Sequence, residues 1–146
     1  MYSAFRVRHG YPLLLEDVLV RHPKLRLWVE NAGYPFLDEM IALMSMYPNV
    51  YADLSTMTWV YQRKGFHDYL RRLIEGGFPI LRGGKRSIIW GDPIAKRLMF
   101  GSDQMCWPET IRMAVEAIDS ADFLSENQKK DIFYNNAARF LRLEVK

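Results

Sequence analysis

The sequence predicts an α/β fold, because short apolar segments alternate along the chain with longer amphipathic ones. Three segments have the length and composition of buried strands, and a turn signal bounds each of them. They cover residues 25–29, 50–54 and 98–100. Strands that alternate with helices pair in parallel through right-handed crossovers. We therefore expect a sheet of about three to four parallel strands with helices packed against it.

Four amphipathic helices are predicted between and after these strands. Pro35 stands at the first position of one helix, where proline is favoured, and apolar residues follow it at a spacing typical of a helix. A second apolar stripe covers residues 66–74 and ends at two glycines, and a third helix begins at Pro108. The last helix begins with a capping box, in which Ser125 and Gln128 satisfy each other's free backbone donors.

The length of the chain limits how much of a larger α/β architecture it supplies. A complete (β/α)8 barrel needs ~200 residues or more, whereas this chain has 146 residues. We therefore expect a single domain over residues 1–146 that corresponds to half of a TIM barrel at most. Residues 78–95 interrupt the alternation with glycines, prolines and a short β-like stretch, which predicts an inserted loop or hairpin.

Composition and charge indicate a water-soluble domain. The chain is 49% hydrophobic and 25% charged, and its sequence contains no apolar run long enough for a membrane span. The apolar residues 13–15 are followed at once by Glu16 and Asp17, unlike the core of a signal peptide. We therefore expect a cytoplasmic protein with no membrane partner. The net charge of +3 is small, and basic residues are not interleaved with aromatic ones, so a nucleic-acid partner is not expected.

Three stretches of the chain carry a family resemblance. They read HPKLRLWVENAGYPFLDEMIALMSMYPNVYADLS, KRLMFGSDQMCWPE and FLSENQKKDIFYNNAARFLRL, and the FGSD and NNAARFL pieces are the most specific parts in this order and spacing. The chain resembles the C-terminal part of the amidohydrolase-related family, which comprises metal-dependent (β/α)8 hydrolases and decarboxylases. The resemblance implies that the segment belongs to a TIM barrel.

The resemblance also implies a candidate catalytic residue. In the family, the aspartate of FGSD ends the last barrel strand, binds the catalytic metal and activates the attacking water, and Asp103 matches that position. A carboxylate at the C-terminal end of a parallel strand lies at the edge where such folds place their sites. Asp103 is therefore the candidate catalytic residue and metal ligand. The alternative is a structural carboxylate that accepts backbone N–H bonds from residues 105–107.

Three further residues are candidates for substrate binding. Asn31 occupies a place where the family carries a histidine, and an asparagine amide is a poorer Zn²⁺ ligand than imidazole. Asp53 lies near the end of the second strand and is expected to form an acid/base or cation-binding pair with Asp103, unless it bonds its own turn at residues 55–56. Trp107 is expected to line a pocket at the strand ends, with core packing as the alternative.

The other ligands of the family are not found in this sequence. His9, His22 and His67 are isolated, and no His-x-His pair occurs. The divalent metal that the family implies, Zn²⁺ or Mn²⁺, is therefore not expected in a single chain. We expect a truncated, amidohydrolase-like segment that descends from metal-dependent hydrolases or decarboxylases and acts as a binding or oligomerising module.

The alternative function is catalytic. It is a metal-dependent hydrolase or decarboxylase of a small carboxylated or cyclic substrate, with Asp103 as metal ligand and base and the site completed by oligomerisation. We expect a homo-oligomer in either case, because unpaired strand edges and helix faces shaped for a larger barrel favour self-association. A small molecule is the expected ligand.

Overall fold

A computed structural model describes residues 6–76, 94–105 and 107–144, together with the backbone of residues 79–82 and 85–88. The described residues form the predicted α/β unit, in which helices flank a parallel sheet. The strands are β1 (Leu27–Val29), β2 (Val50–Asp53), β3 (Pro79–Arg82), β4 (Lys85–Ile88) and β5 (Leu98–Met99). The helices are α1 (Glu16–Arg21), α2 (Leu37–Met46), α3 (Met57–Val60), α4 (Arg63–Glu75), α5 (Thr110–Asp119), α6 (Glu126–Lys130) and α7 (Asn136–Leu141). A π-helical turn, Asp131–Asn135, joins α6 to α7.

The main sheet has the strand order β1-β2-β5, and both of its pairings are parallel. Val29 lies beside Ala52, which lies beside Leu98, so these three side chains share one face. The opposite face carries Asp53 and Met99, which are paired with each other. The three predicted strands are thus confirmed, each one or two residues shorter than the apolar pattern indicates.

The core lies between the apolar face of this sheet and helices α2 and α4. Met40, Met44, Phe66 and Leu70 are buried there, and they pack in one cluster with Ala52. Each fully buried side chain of this size contributes roughly 1.5–3 kcal/mol relative to an exposed one. The apolar stripes that predict these helices are therefore the faces that hold the helices on the sheet.

The start of α2 differs from the prediction. The helix begins at Leu37, and Pro35 lies before it in a turn with a cis peptide bond after Tyr34. Gly33 has a φ of 74°, and a Cβ atom at this position would lie 2.8 Å from Cβ of Met40. The chain therefore turns tightly against α2 before the helix starts. Pro35 lies in this turn and not, as predicted, at the first position of the helix.

Two buried polar side chains hold β5 at its amino end. Arg97, which is 3% exposed, donates hydrogen bonds to the backbone carbonyls of Met44 at 2.8 Å and of Tyr47 and Val50 at 3.0 Å each. Nδ2 of Asn136, in α7, donates hydrogen bonds to the backbone carbonyls of Leu98 at 2.6 Å and Ala95 at 2.9 Å. The bonds from Arg97 satisfy one carbonyl in the last turn of α2, one in the loop that follows and one at the start of β2. The bonds from Asn136 hold α7 against β5.

The last helical region begins as the sequence predicts. Ser125 accepts a hydrogen bond from the backbone N–H of Gln128, and the side chain of Gln128 accepts one from the backbone N–H of Ser125. The predicted capping box is therefore confirmed at the start of α6.

The segment predicted as an insertion, residues 78–95, contains strands β3 and β4. They pair with each other in an antiparallel sheet of two strands, separate from the main sheet. Residues 78, 83–84 and 89–93 of this segment lie outside the described residues. Its status as an insertion stays a prediction. None of the helices in the described part of the chain combines the length and hydropathy that a membrane span needs.

Candidate functional site

The C-terminal ends of β1, β2 and β5 open into one cleft of about 680 Å³. The residues that line it are Trp28, Glu30, Asn31, Asp53, Ser55, Thr56, Phe100, Gly101, Ser102, Asp103, Gln104 and Met105. All of them lie in these strands or in the loops that follow, at the edge where α/β folds place their sites. Three of the four predicted site residues thus come together. The fourth, Trp107, is 59% exposed and does not line the cleft.

Asp53 is a buried carboxylate that connects the loops at this end of the sheet. It is 2% exposed, and its Oδ2 accepts a hydrogen bond of 2.6 Å from Nε1 of Trp28. Its Oδ1 accepts from the backbone N–H groups of Asn31 at 3.3 Å and Ser55 at 2.8 Å, and from the Ser55 hydroxyl. Four donors occupy about all the acceptor sites that a carboxylate has. Asp53 therefore bonds its own turn, as the structural alternative states, and also joins the β1 loop to the β2 loop.

Asp103 is bonded much less completely. Its Oδ2 accepts a hydrogen bond of 2.6 Å from the hydroxyl of Thr56. Its Oδ1 accepts none from any residue that the structure describes, and its side chain is half-buried in the cleft wall. Within the described residues no backbone N–H donates to it, which is the bond that the structural alternative requires. As far as the described part of the chain is concerned, Oδ1 of Asp103 is therefore left for a ligand in the cleft.

The backbone at the three strand ends adopts an unusual conformation. Asn31, Thr56 and Asp103 have φ angles of 57°, 58° and 58°, in the left-handed region that residues other than glycine seldom occupy. This conformation costs on the order of 1–3 kcal/mol at each residue, and it persists only where surrounding contacts impose it. Residues in such conformations are common at binding sites. In this cleft, contacts with the surrounding fold hold the three loops in this conformation.

Tyr69 of α4 supplies one of those contacts. Its hydroxyl donates a hydrogen bond of 3.1 Å to the backbone carbonyl of Ala32, in the loop that follows β1. Burial raises the pKa of the Tyr69 hydroxyl, with a smaller contribution from Tyr61 and Tyr34. The hydroxyl consequently stays protonated and keeps its role as a donor at all ordinary pH values.

Gly101 allows the loop after β5 to approach β2 closely. A Cβ atom at this position would lie 2.8 Å from Cβ of Ser55 and 3.0 Å from Oδ1 of Asp53. Real Cβ atoms do not come this close to their neighbours without a shift of structure. The glycine therefore brings the β5 loop, and Asp103 with it, against the network around Asp53.

Sequence reasoning did not select several lining residues of this site, among them Trp28, Thr56 and Gly101. Thr56 lies two residues after the predicted second strand, so its position near a parallel strand end was available as a signal. The alternation of side chains along β1 places Trp28 on the same face as the strand-end carboxylate once the register is known. The register between β1 and β2 is set by tertiary packing, so the pattern of apolar residues within each strand does not predict it.

The lining of the cleft is negatively charged although the whole chain is positive. It includes the carboxylates of Glu30, Asp53 and Asp103, and none of the described residues that line it is a lysine, an arginine or a histidine. A cleft of one charge sign concentrates ligands of the opposite sign. This arrangement favours cations and hydrogen-bond donors, and it opposes small anions.

The described residues do not fit a catalytic metal site by themselves. Among them no group of three or more His, Cys, Asp or Glu side chains is placed to hold a metal ion. Asn31, at the place of the family histidine, has its Oδ1 3.0 Å from the Ser55 hydroxyl. His67, which the sequence places on the polar side of a helix, is partly buried and donates from Nε2 to the carbonyl of Ala117 at 2.9 Å. Catalytic zinc sites use three protein ligands, mostly histidines, and the cleft lining contains none.

Comparison with known proteins identifies the family. A family model described as amidohydrolase matches residues 1–143, which include all three strands of the main sheet and the whole cleft. Searches of curated proteins and of solved structures found no match. Amidohydrolases of this family are TIM barrels, and the parallel sheet with flanking helices is a partial unit of that kind. The chain belongs to the amidohydrolase family.

Proposed function

We propose that this chain is a ligand-binding module of the amidohydrolase family, with a descent from metal-dependent hydrolases. The cleft at the strand ends binds a small molecule, and Asp103 is the carboxylate that binds it. The observation that carries this proposal is the difference between the two aspartates: four protein donors occupy Asp53, whereas Oδ1 of Asp103 accepts no hydrogen bond from the described residues.

The chemistry of the lining selects the kind of ligand. A hydrogen bond between a charged carboxylate and a donor contributes about 1.5–3 kcal/mol when it is shielded from water. The bond from Thr56 holds the Asp103 carboxylate in one orientation, so its open oxygen is presented in a defined direction. Glu30 adds a second negative charge to the same lining. The ligand is therefore a molecule with a cationic or strongly donating group, and a carboxylated molecule is disfavoured.

An NMR titration with acetamidinium tests this proposal. Acetamidinium is a small planar cation whose two N–H donors match a carboxylate. We expect saturable shifts of the backbone amides at Thr56, Ser102 and Asp103, and we expect Asp103→Asn to remove them. Asp122→Asn, which changes an exposed aspartate outside the cleft, is the matched control and keeps the shifts. Equal binding by the wild type and Asp103→Asn contradicts the proposal.

A second candidate is a metal-dependent hydrolase or decarboxylase whose site is completed in a homo-oligomer. The observation in its favour is the position of Asp103, which follows β5 within the FGSD sequence and has an open oxygen. Because the described residues do not supply enough ligands, this candidate needs ligands from a second copy of the chain.

Zinc titration together with light scattering separates the two candidates. The second candidate requires an oligomer that binds Zn²⁺ or Mn²⁺ near stoichiometry, with binding lost in Asp103→Ala. The binding-module proposal expects no change in melting temperature when Zn²⁺ or Mn²⁺ is added.

A further inference from the structure

We propose that Trp28 is an aromatic platform that makes the cleft selective for planar aromatic cations, such as aryl amidines. The inference rests on the proposed function, because it takes the cleft beside Asp103 as the binding site. It goes beyond that proposal by naming the ligand class and the residue that selects it.

Trp28 is exposed although it lies in the middle of β1. Its side chain is 52% exposed in the cleft, whereas tryptophan commonly has most of its surface buried. The indole N–H does not face water, because it donates a hydrogen bond of 2.6 Å to the buried carboxylate of Asp53. The polar end of the residue is thus satisfied within the protein, and apolar ring surface is left at the cleft.

The orientation of this ring is fixed from a second side. Phe140 of α7 packs edge-on against Trp28, with ring centroids 6.2 Å apart and an interplanar angle of 72°. Phe140 also contacts Tyr51 at 5.2 Å, and the guanidinium of Arg26 lies 5.3 Å from its ring centroid. A ring held in this way loses little conformational freedom when a ligand stacks on it, which favours binding.

The charge of the same cleft defines the ligand further. The face of an indole ring attracts cations, and tryptophan is the strongest of the aromatic side chains in this respect. Asp103 and Glu30 line the same cleft and add two carboxylates. A planar aromatic cation satisfies both features, since its ring stacks on Trp28 while its charged donors reach Asp103. An aromatic anion satisfies only the first and is repelled by the carboxylates.

Three probes separate the contribution of the ring from that of the charge. Benzamidinium has both features, acetamidinium has the charge alone, and benzoate has the ring with the opposite charge. We expect the wild type to bind benzamidinium about tenfold more tightly than acetamidinium, because only benzamidinium has a ring that stacks on Trp28. We expect no saturable binding of benzoate. NMR titration under one set of conditions gives all three affinities.

The variant Trp28→Leu tests the residue directly. We expect it to bind the two amidines with equal affinity, whereas Trp107→Leu, which removes an exposed tryptophan outside the cleft, keeps the wild-type preference. Equal affinity for the amidines in the wild type overturns the role of Trp28 but leaves the proposed function standing. Amidine binding that Asp103→Asn does not change overturns the proposed function instead. Binding of benzoate as tight as that of benzamidinium overturns the selectivity for cations.

Two further measurements keep the inference testable if Trp28→Leu fails to fold. Nuclear Overhauser contacts between the ring protons of benzamidinium and the indole of Trp28 are expected in the wild type, and their absence overturns the inference. Light scattering shows whether a second copy of the chain covers Trp28. A dimer that Trp28→Phe converts to a monomer overturns the inference, because the ring then belongs to an interface between copies.

Discussion

The two ends of β5 use polar side chains in opposite ways. At the amino end, Arg97 and Asn136 are buried, and their donors bond to main-chain carbonyls of neighbouring elements. At the carboxyl end, Asp103 is half-buried and keeps one oxygen without a donor among the described residues. Barrel folds separate stability at one end of the strands from chemistry at the other. In the three-stranded sheet of this chain, the buried donors lie at one end of β5 and the half-buried carboxylate lies at the other.

The largest expected effect is at the amino end. Arg97→Met removes the donors to three carbonyls and leaves them buried, so we expect the free energy of unfolding to fall by about 3 kcal/mol or more. Urea denaturation measures the loss. Arg112→Met, which removes an exposed arginine paired with Glu116, is the control and costs less than about 1 kcal/mol. A loss no larger than that of the control contradicts the assignment of stability to this end.

Gly101→Ala tests whether the two ends are independent. The new Cβ atom meets Ser55 at 2.8 Å, and overpacking of this kind costs roughly 1–3 kcal/mol. Because the clash lies beside the Asp53 network, we also expect weaker binding of acetamidinium. Gly10→Ala is the control, since its Cβ atom has no neighbour within 4 Å. Normal stability and normal binding in Gly101→Ala show that the loop after β5 adjusts freely.

Acid titration tests a second carboxylate, Asp131, which lies in the π-helical turn between α6 and α7. Burial raises the pKa of Asp131, but hydrogen bonds from Asn135 and Arg139 and the charge of Arg139 outweigh it and leave the pKa below its usual value. A lowered folded-state pKa stabilises the fold above the unfolded value of about 3.9, and this contribution is lost as pH falls through the folded-state value.

We therefore expect the Asp131→Asn variant to lose less stability than the wild type as the pH falls below about 4. The effect at neutral pH is a destabilisation of about 1 kcal/mol or less, because the ion pair with Arg139 is partly exposed. Thermal melts at a series of pH values measure both quantities. Identical acid profiles for the wild type and the variant refute the stabilising role of Asp131.

The smallest expected change is in the stability of Asp103→Asn. The substitution keeps an acceptor for the Thr56 hydroxyl and removes a charge that few protein groups neutralise, so we expect a change within about 0.5 kcal/mol. The same variant is expected to lose amidine binding. Urea denaturation and NMR titration of one sample check both statements. A destabilisation comparable to that of Arg97→Met makes Asp103 a structural residue and removes the difference between the two ends.

The sequence predicts the fold well where burial is continuous. The apolar runs at residues 50–54 and 98–100 are strands because both ends of each run are closed by polar or turn residues, and the FGSD sequence places Asp103 at a strand end. Local pattern fails where tertiary contacts decide the conformation. The left-handed residues Asn31, Ala32 and Gly33 turn the chain before α2, which starts at Leu37, and such residues have no periodic signature.

The candidate site is predicted in part for the same reason. Asn31, Asp53 and Asp103 follow the strands in sequence, so parallel pairing alone brings them together. Trp107 lies in the connection between β5 and α5, whose path depends on packing rather than on spacing. The partners of the two carboxylates, Trp28 and Thr56, depend on the register between strands, which a single sequence does not reveal.

The position of Asn31 has a consequence for substitutions in the loop that follows β1. Its Oδ1 lies 3.0 Å from the Ser55 hydroxyl, and its backbone N–H donates to Asp53, so the residue is tied to the β2 loop at two points. Because Gly101 has no Cβ atom, the loop after β5 lies directly against the same serine. The substitution Asn31→His therefore exchanges a side chain that reaches the Ser55 hydroxyl for a larger ring. Because the β1, β2 and β5 loops meet around this serine, a single substitution at Asn31 affects the shape of all three loops together.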